Sequence, residues 1–270
     1  VLKQTSIRLI DDDCFGQAKA VAYSFLLFFF PFLLFLVAAL VLTHALSALA
    51  PQLIQLLSHV MPRSTRMLIT EYVSGLAATE PTDVLVGAFG AMLWTGSGMM
   101  VSFIEGLDRA YRLPTQRSLV KQRLVAIGLV FLVGLPLVLL ALLVIFSLSV
   151  EKLVGARLSI TVPWFWRFAW WTFVLAATML MIAIIYHVGP DRKQKWRNVL
   201  PGAGLATLLW ILVTLGFSAY VSHFGEYDVI YGSLGAGIIL LIWMYLTSLV
   251  VLIGGEFNAV VESNRGALDG

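Results

Sequence analysis

Six stretches of this chain run for more than twenty residues without one Asp, Glu, Lys or Arg: 20–43, 84–104, 124–150, 168–189, 199–222 and 229–255. About 20 apolar residues wound as a helix cross a hydrocarbon core of roughly 30 Å. Each stretch is therefore predicted to be a transmembrane helix. The expected fold class is all-α, a polytopic membrane protein with six transmembrane helices in a single domain over residues 1–270.

Residues 47–83, between the first two spans, follow a different pattern. Leu53, Leu56, Leu57 and Val60 fall on one helical face and Leu68, Ile69, Tyr72, Val73 and Leu76 on another, with Pro62 between the sets. Such spacing predicts two short amphipathic helices in the first outer loop, lying on the membrane or capping the bundle. At the N-terminus, Leu2, Leu9 and Ile10 suit a segment lying along the inner interface. Asp11, Asp12 and Asp13 then precede the first span, where negative charge complements the helix dipole.

Composition extends the membrane reading to the whole chain. Apolar residues make up 60% and charged residues 12%, whereas soluble domains carry about 25% charged residues. The net charge of +3 does not call for a nucleic-acid partner, because basic residues flanking spans produce the same excess. With the N-terminus inside, thirteen of the eighteen basic residues lie in inner segments and five in outer ones. The positive-inside rule then places both termini in the cytoplasm. Trp164, Trp166, Trp170 and Trp171 would form an aromatic belt at the outer edge of the fourth span. The single cysteine, Cys14, leaves no internal disulfide and no cysteine-based metal site.

Within the spans, stripes at every fourth position are small apart from one Trp in each: Gly90, Trp94, Gly98, Ser102 and Gly106, then Gly202, Ala206, Trp210, Thr214 and Ser218. Such stripes permit close helix approach where lipid supplies no drive for helices to associate. Pro31 in the first span and Gly134 with Pro136 in the third are expected to loosen their helices and are candidate hinges.

No nucleotide-binding loop, HExxH motif or hydrolase elbow occurs in its required context, so neither an enzyme nor a metal or cofactor site is expected. The notable polar residues gather at the inner ends of spans two and six: Glu105, Asp108 and Arg109, facing Glu256 and Asn258. Both ends read I-x-G-x-x-x-A, from Ile104 to Ala110 and from Ile253 to Ala259. This suggests two equivalent helix ends in contact through Gly106 and Gly255. Glu256 is expected to pair with Arg109 or with backbone at the end of span two, as a gate or as a structural contact. On the outer side, Tyr227, Tyr231 and Gly232 are candidates for a mouth, with simple interfacial anchoring as the other reading.

Residues 186–261 carry a set of motifs: Tyr186 with Pro190, Trp196-Arg197, Leu200-Pro201-Gly202-Ala203, Tyr220, Tyr231-Gly232-Ser233-Leu234-Gly235, Trp243-Met244-Tyr245 and Gly255-Glu256-Phe257-Asn258. Ala22-Tyr23 with Pro31, Trp94-Thr95 with Gly98, and Lys121-Gln122-Arg123-Leu124 add to them. In these the chain resembles the YihY/virulence factor BrkB family of bacterial inner-membrane proteins. Asp191 departs from the pattern, which has Asn after the Pro. The resemblance implies a six-span protein of the bacterial inner membrane. It leads to an expected transporter or flippase of a lipid or other amphiphile, without its own ATPase and with membrane lipid as partner. The alternatives are a structural or regulatory component of envelope assembly and, third, an intramembrane enzyme. The ribonuclease label once attached to the family finds no metal-ligand constellation in this sequence.

Overall fold

A computed structural model of the chain describes residues 1–42, 81–114, 117–158, 164–192, 194–223 and 228–266. Among these residues there are seven helices and no strand. They are α1 (Leu2–Asp11), α2 (Cys14–Leu42), α3 (Pro81–Ala110), α4 (Leu119–Leu158), α5 (Trp164–Val188), α6 (Trp196–His223) and α7 (Asp228–Gly266). Six of them, α2 to α7, contain a segment long and apolar enough to cross a membrane.

Local chemistry sets where these helices start and stop. The first span begins at Cys14 rather than at residue 20, because Asp13 caps α2: its Oδ1 accepts the Gly16 N–H at 3.2 Å. A Cβ at residue 16 would run into that carboxylate. α3 starts on Pro81 with Asp83 in its first turn, both suited to a helix N-terminus. α4 continues through Glu151 and Lys152 to Leu158, beyond the charge-free window that ends at residue 150. The α-helix is unbroken through Pro31 in α2 and through Gly134 and Pro136 in α4. The amphipathic helices expected in the first outer loop lie outside the described residues, except for the stretch from Pro81 that opens α3.

Side-chain placement inverts the pattern of a soluble bundle. On α6 the large residues Leu208, Leu212 and Leu215 point outward, while Ala203, Ala206 and Thr207 are buried. A run of exposed leucines at helical spacing suits lipid contact, and the small residues let neighbouring helices approach. Buried hydroxyls turn back on their own helices: Thr207 donates to the Ala203 carbonyl at 2.8 Å and Ser248 to Met244 at 2.7 Å.

The chain divides into two compact units, one formed by Val1–Leu26 with Gly96–Gly270 and the other by Leu27–Thr95. In the smaller unit Phe35 of α2 meets Phe89 of α3 with ring centroids 5.6 Å apart. Gly90 there has open space around it and Trp94 is 72% exposed, so this part of the four-residue stripe is not a packing seam among the described residues. In the larger unit α6 packs most extensively on α7, α5 on α6, and α4 on α5, while α1 lies along α7.

Candidate functional site

The tightest packing lies where α3, α5 and α7 end and α2 and α6 begin, and glycines make it possible. A Cβ on Gly202 of α6 would overlap the Gly254 carbonyl oxygen, and a Cβ on Gly254 would come within 2.8 Å of Ala206 Cβ. Two backbones therefore touch there. Asn258 fastens them: its Oδ1 accepts the Gly202 N–H at 2.6 Å and its Nδ2 donates to the Val199 carbonyl at 2.9 Å. Pro201 has no N–H to give to the α6 ladder, and the Asn258 amide engages backbone groups on either side of it. From α5, the buried Tyr186 hydroxyl donates to the Val251 carbonyl.

The α3 and α7 ends interlock reciprocally. Leu107 lies against the face that Gly255 leaves open, and Leu252 against the face that Gly106 leaves open. Gly106 and Gly255 are equivalent positions in the two I-x-G-x-x-x-A segments, which therefore do meet. Nearby, Ser102 of α3 and Ser24 of α2 share a hydrogen bond at 3.1 Å.

Glu256, one residue past this seam, is 2% exposed, and its Oε2 is buried without a hydrogen-bond partner among the described residues. The expected pairing with Arg109 does not occur, because Arg109 and Glu105 both point outward. An α-helix turns about 100° per residue, and the face of α3 that meets α7 is that of Gly106 and Leu107. The guanidiniums that act on Glu256 are those of Arg8 on α1 and Arg112 just after α3, with Asp12 opposing them. Buried Cys14 lies in the same field.

Asp108 is buried and holds the turn after α5, accepting the Asp191 N–H at 2.9 Å. Arg117 clasps the same turn. It reaches Asp191 Oδ1 from Nε at 2.8 Å, the Gly189 carbonyl from Nη1 at 2.8 Å and the Pro190 carbonyl from Nη2 at 3.0 Å. Asp191 thus supplies the carboxylate of a partly buried ion pair. Further along, Arg192 donates to Glu262 Oε1 at 2.6 Å and lies 5.7 Å over the Tyr111 ring. Burial pushes the Tyr111 hydroxyl well above the usual tyrosine range, and it faces the Gln194 amide without completing a hydrogen bond.

Of the residues singled out from sequence, Asp108, Glu256 and Asn258 share this region, and Glu105 and Arg109 stand at its rim. Tyr227 lies outside the described residues. Tyr231 and Gly232 fall in the first turns of α7, and their side chains are outside the described set. The sequence reading passed over Arg8, Arg112, Arg117 and Arg192 as positive-inside charge. Their signal was density, since basic residues in short segments between spans converge when the spans pack.

The profile of the family described as Virulence factor BrkB matches residues 5–270 of this chain. The chain belongs to the virulence factor BrkB family. Among relatives, it is 32% identical over 257 residues to the ribonuclease-like protein YfkH of Bacillus subtilis (strain 168), covering 93% of this chain and 91% of that protein. A UPF0761 membrane protein of Vibrio cholerae serotype O1 is 30% identical over 227 residues, 81% of this chain and 72% of its own. A third, UPF0761 membrane protein PSHAa0171 of Pseudoalteromonas translucida, is 27% identical over 218 residues, 77% and 67% of the two chains. No solved structure matches the chain. This BrkB family member is a multi-pass membrane protein, and among its described residues no three His, Cys, Asp or Glu side chains are grouped to hold a metal ion. What the site offers chemically is two buried carboxyls, Asp108 and Glu256, guanidiniums on the segments around them, and helix ends joined through backbone.

Proposed function

We propose that this protein is a transporter or flippase of a lipid or other amphiphile in the bacterial inner membrane, with both termini in the cytoplasm and no ATPase of its own. Glu256 carries the reading. A carboxyl buried near the end of an apolar helix, with one oxygen unpartnered among the described residues, is expensive, and an ionisable residue within a span is by default a candidate for a substrate or ion pathway. The excess of basic residues on the side of the termini supports the orientation.

The packing supports a second reading, a static scaffold for envelope assembly, because backbone-to-backbone contact through Gly202 and Gly254 suits a rigid element. Vesicle reconstitution separates the two. Purified protein in liposomes carrying a fluorescent phospholipid should expose inner-leaflet label to an impermeant quencher, whereas a scaffold leaves about half the label protected.

A further inference from the structure

A cleft of about 400 Å³ opens where α1, the end of α3, the turn after α5 and the end of α7 meet. Arg8, Arg112 and Arg192 line it with Tyr111, Glu262 and Ser263. Three guanidiniums therefore face a single lining carboxylate, and Arg192 alone is engaged by it, at 2.6 Å. Arg8 donates to the Ser263 hydroxyl at 3.5 Å. Arg112 has a 3.5 Å ion pair with Asp12 and is 57% exposed. Guanidinium is the group best matched to phosphate, whose oxygens it meets with paired N–H donors.

Two more observations concern how the cleft is held and where it lies. Arg112 sits in the left-handed region, with φ 53°. Its N–H bonds to the Arg109 carbonyl and the Leu113 N–H to the Asp108 carbonyl, both at 2.8 Å. That is a helix-ending turn which ordinarily takes glycine. An arginine kept there bears strain of the kind that collects at binding sites. On α1, Ile7 and Ile10 are exposed, while Gln4 accepts from Asn264 Nδ2 of α7 at 2.8 Å. The helix thus holds to α7 by a polar contact and leaves apolar side chains free to enter a membrane interface.

We propose that this cleft binds the phosphate of an anionic membrane lipid head group. The inference rests on the transport reading for the kind of ligand, and on the cleft itself for the charge and the place. Zwitterionic head groups bring a cation that the excess of guanidinium over carboxylate in the lining disfavours. The volume suits a head group, leaving the acyl chains outside along the exposed face of α1.

The test uses the full chain in uncharged detergent, titrated with dihexanoyl phosphatidylglycerol, dihexanoyl phosphatidylcholine or inorganic phosphate while thermal unfolding is followed. The phosphatidylglycerol should raise the melting temperature in a saturable way, and the other two should not. Arg112→Gly removes a guanidinium while favouring the turn, and Ser263→Glu places a carboxylate on an exposed position, so neither is expected to hinder folding. Each should raise the half-saturating concentration about tenfold, the loss expected for one charge-assisted phosphate contact. Equal response to both lipids, a response to inorganic phosphate matching that to phosphatidylglycerol, or variants that bind like the parent would each overturn the proposal. Vesicle transport that persists without head-group binding removes this site alone, and binding without transport removes only the transport reading.

Discussion

Gly202 and Asn258 are joined across α6 and α7 by a 2.6 Å hydrogen bond from backbone N–H to side-chain Oδ1, inside a contact that excludes solvent. The same amide holds the Val199 carbonyl. Asn258→Leu would remove both side-chain hydrogen bonds from this buried seam, each worth about 0.5–1.5 kcal/mol net, with a further cost for fitting the branched side chain against Gly202. A loss of about 2–4 kcal/mol is expected, read as a lower thermal midpoint in detergent. Asn258→Asp keeps the acceptor and should lose less.

The glycines are predicted to divide by position. Gly202→Ala and Gly254→Ala would drive a methyl group into backbone of the facing helix, at a cost of about 1–3 kcal/mol or more. Gly90→Ala and Gly134→Ala meet nothing within 4 Å among the described residues. There alanine should be neutral or should stabilise by up to about 1 kcal/mol through helix propensity. Equal losses at all four positions would contradict the packing described.

Legibility in the sequence follows the same division. The six spans could be read directly because bilayer thickness imposes a minimum length of uncharged helix. The convergence of Gly106 and Gly255 was visible in the paired I-x-G-x-x-x-A segments. Residue spacing could not say which stripe glycines are used, since Gly90 and Gly106 lie on one stripe yet only Gly106 receives a side chain from another helix. Nor could it give the charges whose field reaches Glu256. Those depend on α1 folding back along α7, a tertiary contact that brings in Arg8, and on a left-handed turn at Arg112.

Cys14 should resist labelling. It is 4% exposed at the start of α2, so an impermeant maleimide should fail to modify it in intact cells and again after permeabilisation. Modification should appear once the protein is denatured. Orientation is better tested from an exposed site, Lys3→Cys in a Cys14→Ser background. With the termini in the cytoplasm, labelling should then require permeabilisation.

The Arg117 clasp should be worth more than its ion pair. Asp191→Asn retains an acceptor for Nε and leaves the bonds to the Gly189 and Pro190 carbonyls, so a loss of about 1 kcal/mol is expected. Arg117→Ala removes all three bonds and leaves Asp191 unpaired in a largely buried turn. Its cost should be about 3 kcal/mol, seen in the same thermal assay.

Glu256→Gln in the vesicle assay is the most direct test of the transport reading. Glutamine preserves the shape of the side chain and removes a charge-bearing group whose Oε2 already lacks a partner among the described residues, so the variant should fold and reconstitute like the parent. Movement of fluorescent phospholipid should fall at least about tenfold, the effect of losing one polar interaction of roughly 1.4 kcal/mol in the rate-limiting step. A variant that moves lipid at the parental rate, or a parent protein that moves none, would contradict it.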